Sequence, residues 1–148
     1  MFVREAMTLH AEWISPDISL TEVALTMRDK EIGCLPVGEK DRLIGIITDR
    51  DLACRAVAEG LNPKTSKARA VMTKGITWCF EDESVDEAAL RMEEKKIHHM
   101  PVLSRQKRIV GILSLSDLAL KAPEELFRQV SKLTSRDAER HAATPTAH

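Results

Sequence analysis

Two short segments carry the residue types best suited to hold a ligand. Gly45-Ile46-Ile47-Thr48-Asp49-Arg50-Asp51 and Gly111-Ile112-Leu113-Ser114-Leu115-Ser116-Asp117 share one form: glycine, two apolar residues, a hydroxyl, two variable residues, aspartate. A glycine lets a ligand approach the backbone closely. A hydroxyl at a helix start can donate to a phosphate oxygen, where the free N–H groups of the first turn and the helix dipole also favour an anion. An aspartate three residues on lies one turn further along, facing the same way. Its carboxylate accepts hydrogen bonds, which suits the paired hydroxyls of a ribose. Phosphate beside ribose describes a nucleotide. The same residues are equally good helix N-caps that need no ligand, and the two readings can coexist.

The elements that position these turns come from an internal duplication. Residues 19–37, SLTEVALTMRDKEIGCLPV, align with residues 84–102, SVDEAALRMEEKKIHHMPV, at a constant offset of 65. Met7 pairs with Met72 and Trp13 with Trp78, and after a one-residue insertion RLIGIITDRDLA (42–53) aligns with RIVGILSLSDLA (108–119). Such a period means two copies of one supersecondary unit. Each copy predicts an extended piece near 12–15 or 76–79. A helix then opens at Ser19 or Ser84, with Glu22 or Glu87 completing a capping box. Leu20, Val23, Ala24 and Met27 recur at helical spacing, as do Val85, Ala88, Ala89 and Met92. Strands follow around Pro36 or Pro101, at an edge or a strand start, then at LIGII (43–47) or IVGIL (109–113), and a second helix begins at Thr48 or Ser114.

The fold class is therefore α+β: tandem βαββα units packed sheet to sheet about a pseudo-twofold axis. The expected organisation is repeat 1 over 1–60, a linker over 61–67, repeat 2 over 68–122, a helix over 123–134 and a polar tail over 135–148. One unit of about 60 residues is marginal alone. The predicted last helix has Pro123 in its first turn and Leu126, Phe127, Val130 and Leu133 on one face.

Composition narrows the function classes. The 148 residues carry 22 basic and 23 acidic side chains, scattered, for a net charge of −1. Nothing resembles a basic stripe for nucleic acid or a polybasic run for a membrane surface. There is no secretory pattern at the N-terminus and no apolar run of about 18 residues. Three cysteines, without CxxC, fit a reducing cytoplasm.

The duplicated unit, its paired turns and the two -PV- strands resemble a tandem pair of CBS domains, over about Met7 to Lys121. Glu59-Gly60-Leu61-Asn62-Pro63 is further similar to stand-alone bacterial two-repeat proteins of the hypoxic-response type. The resemblance implies a regulatory module that binds AMP, ADP, ATP, NAD or S-adenosylmethionine between the repeats, AMP-like ligands foremost, dimerises, and acts in trans on a protein target. It implies two sites. In one, Asp117 holds the ribose and Ser114 a phosphate, with Ile112 beside the base and Ile32, Gly33, Cys34 and Leu35 facing it. In the other, Asp51 and Thr48 take those roles with Ile46, Arg50 adds charge, and Ile97, His98, His99 and Met100 face them. The histidines would reach the phosphates and strengthen binding at lower pH. Trp13 and Trp78 are candidates to stack on adenine or to fill a pocket, against a plain core role.

Three other classes are weighed against this. A metal site from His98, His99 and Cys34 is disfavoured because adjacent residues on a strand point to opposite faces; no metal is expected. No nucleophile–base order, catalytic carboxylate pair or phosphate-binding P-loop is present, so no catalytic residue is assigned. The rival reading is a ligand-free dimerisation or interaction scaffold.

Overall fold

The computed structural model describes residues 1–9, 13–40 and 42–121, together with Glu124 and Arg128. The order is α1 (Val3–Ala6), β1 (Thr8–Leu9), α2 (Leu20–Lys30), β2 (Cys34–Glu39), β3 (Arg42–Thr48) and α3 (Asp49–Asp51), which runs on as a π-helical stretch, Leu52–Val57. A 3-10 turn (Ala68–Ala70), β4 (Cys79–Phe80), α4 (Val85–Lys95), β5 (His99–Leu103), β6 (Ile109–Ser114) and α5 (Leu115–Lys121) complete it. Apart from Glu124 and Arg128, the helix expected over 123–134 and the tail over 135–148 lie outside the described residues.

Ser19 and Ser84 cap α2 and α4 by accepting from the backbone N–H of Glu22 and Glu87, each at 3.1 Å. The reciprocal carboxylate half of the expected capping box is absent from both, among the described residues. It forms instead at Thr48, whose backbone N–H donates to Asp51 Oδ2 at 2.9 Å while Asp51 N–H donates to Thr48 Oγ1 at 3.2 Å. Both long helices end in a left-handed residue, Glu31 (φ 53°) and Lys96 (φ 55°). The next backbone N–H, of Ile32 or Ile97, then closes on Met27 or Met92.

The strands form two sheets, one of order β1-β6-β5-β4 and one of β2 and β3. Pro101 lies in the interior strand β5, not at an edge, one residue before the stretch that β4 pairs (Val102 and Leu103). The connection between units is the feature that periodicity does not reveal. Strand β1 precedes the first unit yet pairs with β6 of the second, Thr8 opposite Ile112. Reciprocally Thr73, which precedes the second unit, bridges Ile46 on β3 of the first.

The cores are exchanged in the same way. Val3, Ala6 and Met7 are buried with Val85, Ala88, Met92, Met100 and Leu113 of the second unit. Ala68, Val71 and Met72 are buried with Leu20, Val23, Leu35 and Ile47 of the first. Burial of each such Val or Met contributes about 1.5–3 kcal/mol. A small cluster of Cys34, Ile46 and Ile112, with Ile76 against it, joins the two sheets.

This exchange accounts for the two glycines of the paired turns. A Cβ on Gly111 would lie 2.5 Å from the Thr8 carbonyl oxygen and 2.9 Å from Met7 Sδ, and one on Gly45 would lie 2.7 Å from Met72 Sδ. What approaches each glycine is the other unit's lead-in segment, where the sequence suggested a ligand. Gly111→Ala must displace backbone and is expected to destabilise by about 1–3 kcal/mol. Gly45→Ala meets a flexible methionine first, its nearest backbone oxygen being at 3.1 Å, and is expected to cost less. Denaturant unfolding of the two variants checks the order; equal losses would contradict this account.

Candidate functional site

Each turn from strand to second helix faces the loop between first helix and strand of the opposite unit. The cleft at the second turn is lined by Thr8, Ile32, Gly33, Cys34, His99, Ile112, Ser114 and Asp117 and has a volume of about 120 Å³. The cleft at the first turn is lined by Ile46, Thr48, Asp49, Arg50, Asp51, Thr73, Lys96, Ile97, His98 and His99 and has about 590 Å³. Ribose, phosphate and base candidates named from the sequence are thus brought together at two places. The exceptions are Leu35 and Met100, whose side chains lie in the two cores, 2 % and 0 % exposed. Trp13 packs over Gly38. Trp78, edge-on to Phe80 with ring centroids 4.9 Å apart, lines a separate cavity with Arg42, Ile44, Ile76 and Lys107. Neither indole lies in a cleft that holds a motif aspartate.

The two clefts differ in hydrogen bonding. Asp117 is 8 % exposed. Its Oδ2 accepts from the Ser114 backbone N–H and the Ser114 hydroxyl, both at 2.9 Å, and its Oδ1 accepts from the Thr8 hydroxyl at 2.9 Å. Thr8 as a partner of Asp117 was not foreseen; the crossing of β1 is what brings it there. Asp51 is half-buried, and only its Oδ2 is engaged, by Thr48 N–H. Among the described residues Asp51 Oδ1 accepts no hydrogen bond and the Thr48 hydroxyl donates none.

They differ in charge as well, because the repeats diverged at the facing positions. Where the small cleft has Gly33 and Cys34, the large one has His98 and His99; opposite Glu31 and Ser116 stand Lys96 and Arg50. The large cleft therefore gathers cations around two carboxylates, while His99 alone lines both clefts. His98 and His99 both line the large cleft, and β5 begins at His99.

Burial holds the His99 imidazole below its ordinary value of 6.5, and the neighbouring His98 adds to this; Asp49 and Asp117 oppose it. Burial, with the charges of Asp51 and Asp49, pushes the Cys34 thiol up to about 12, and burial does the same for Cys79. Both are protonated thiols and poor nucleophiles. No group of three or more His, Cys, Asp and Glu placed to hold a metal ion occurs among the described residues. No helix among them is long and apolar enough to cross a membrane.

Two repeats with exchanged lead-in strands and a cleft at each strand-to-helix turn define a paired-repeat module. The CBS domain family pattern matches twice, over residues 3–56 and 68–124, and the chain belongs to that family. It is 35 % identical over 130 residues to Hypoxic response protein 1 of Mycobacterium tuberculosis, covering 87 % of this chain and 90 % of that one. It is 31 % identical over 118 residues to the CBS domain-containing protein YhcV of Bacillus subtilis, covering 80 % and 83 %. Among solved structures, Hypoxic Response Protein I with two coordinated zinc ions matches with TM-score 0.73 and 34 % identity, over 83 % of this chain and all of that one. The CBS domain pair of protein MJ0100, in complex with 5′-methylthioadenosine and S-adenosyl-L-methionine, matches with TM-score 0.71 and 28 % identity, over 81 % and 94 %.

The depressed His99 pKa has a stability consequence with a definite sign. Above about 6.5 the imidazole is neutral in both folded and unfolded chains, and its contribution is fully present. As pH falls below that, the unfolded chain takes the proton first, so stability falls until the folded imidazole titrates. Urea unfolding from pH 7.5 to 5 is expected to show this loss, reduced in His99→Gln. A His99 titration midpoint by NMR at or above 6.5 would contradict it.

Proposed function

We propose that the chain is a regulatory sensor of adenosine ligands, with the Asp51 cleft as its primary site. The observation that carries this reading is the unoccupied hydrogen-bonding capacity of that cleft: a free carboxylate oxygen on Asp51 and an undonated hydroxyl on Thr48, with the cations Arg50 and Lys96 and two imidazoles in the same lining. Asp51 accepts from the ribose hydroxyls. Thr48, Arg50, His98 and His99 take the phosphate, joined by Lys96, and Ile46 and Ile97 flank the base. A volume near 590 Å³ suits a ligand of this size. The adenosine compounds held by the MJ0100 domain pair support the class. Within it, the cations favour AMP, ADP, ATP or NAD, and AMP foremost, over S-adenosylmethionine.

The regulatory step is a ligand-dependent change in the angle between units, or between the two copies of a homodimer, read by a protein target in the cytoplasm. A ligand shifts such an equilibrium only by as much as its affinity differs between the two states. The competing scaffold reading draws on Ser114 and Asp117, whose bonds are all made within the chain. It fails to explain why the other cleft stays open, with Asp51 Oδ1 unengaged.

Melting the protein with AMP, ATP, NAD or S-adenosylmethionine tests the proposal. A ligand at one hundred times its dissociation constant stabilises by about 2.7 kcal/mol. Asp51→Ala is expected to weaken binding by about 1.5–3 kcal/mol, more than tenfold, through lost bonds to a charged group. Lost cap stability, about 1 kcal/mol, should accompany it. No shift with any of the four at millimolar concentration would overturn the sensing role.

A further inference from the structure

The two clefts contain the same threonine–aspartate pair in the same register, yet only one pair is joined. Thr8 stands opposite Ile112 on β6, and Thr73 stands opposite Ile46 on β3. The Thr8 hydroxyl donates to Asp117 Oδ1 at 2.9 Å, whereas the Thr73 hydroxyl donates to nothing among the described residues and Asp51 Oδ1 stays free. The joined cleft has about 120 Å³ and the unjoined one about 590 Å³. Since residue type is the same in both pairs, the difference lies in the placement of the segment that carries the threonine.

We infer that Thr8 is an internal occupant of the Asp117 site, its hydroxyl holding the carboxylate oxygen that a ribose hydroxyl needs, so that the chain takes one adenosine ligand at Asp51 and a second only when Thr8 is displaced. This rests on the adenosine-binding reading of the clefts. Oδ2 already accepts two hydrogen bonds from Ser114, so a vicinal diol must compete with Thr8 at Oδ1 for the remaining acceptor capacity of Asp117. Displacement is feasible because β1 is two residues long, both exposed, with Leu9 at 79 %. The same event would loosen β1 from β6 and so report the second ligand at the N-terminal lead-in. Thr8 thereby sets which cleft fills first.

Titration calorimetry with adenosine 5′-monophosphate tests this with Thr8→Val, which keeps a β-branched residue in the strand and removes only the hydroxyl. Wild type is expected to bind one AMP per chain, weakened more than tenfold by Asp51→Ala. Thr8→Val is expected to bind two, or to raise the second affinity at least tenfold, and the Thr8→Val/Asp51→Ala double variant to keep one. The gain should be smaller with 2′,3′-dideoxyadenosine monophosphate, which a merely loosened cleft would not distinguish. Two equal sites in wild type, or unchanged stoichiometry and second-site affinity in Thr8→Val, would overturn the inference and leave the sensing role standing. Absence of AMP binding in every variant would overturn both for this nucleotide.

Discussion

The reciprocal exchange of lead-in segments is the constraint from which the rest of the molecule follows. Val3, Ala6 and Met7 complete the core of the second unit, and Ala68, Val71 and Met72 complete that of the first. Neither unit keeps its core without the other. The exchange brings backbone against Gly45 and Gly111, where a side chain would have no room. It also carries Thr8 and Thr73 to the strand that leads into the opposite motif turn. Each cleft is therefore built from both halves of the chain, so the shape of the clefts and the packing of the units are not separable properties.

Within this symmetric frame the chemistry is asymmetric. Substitutions at four matched positions, Gly33/His98, Cys34/His99, Glu31/Lys96 and Ser116/Arg50, put two imidazoles and two cations on one side. At short range in a partly desolvated cleft such charges act on an anion more strongly than on an open surface. The small cleft has instead a carboxylate satisfied from within the chain. Duplication supplied two equivalent positions; divergence at a few residues made one open and polar, the other filled.

Much of this was legible in the sequence, for identifiable reasons. The duplication and the helix starts at Ser19 and Ser84 rest on long aligned segments and strong local patterns, while the pairing of the Asp51 and Asp117 turns with the facing loops rests on the resemblance to CBS-domain pairs. The exchange was not legible, because β1 is two residues long and the first unit's contact to its lead-in is a single bridge, too short for any period-2 signal. The motif glycines were accordingly credited to a ligand. The difference between clefts could have been found by reading the repeats against each other for charge as well as for likeness.

The geometry also ties the two clefts together. The loop that lines the Asp117 cleft is held by the Gly33 carbonyl, which accepts from Asp49 N–H at 2.9 Å, and Asp49 begins the helix that lines the Asp51 cleft. Symmetrically the His98 carbonyl accepts from Leu115 N–H at 3.1 Å, linking the loop of the Asp51 cleft to the helix that follows Ser114. A ligand that draws one helix start toward itself pulls on the loop of the other cleft through a single backbone hydrogen bond. His99 adds a charge-dependent link, since it lines both. By thermodynamic reciprocity any change that occupancy of the Asp51 cleft makes in affinity at Asp117 is matched by an equal change in the other direction.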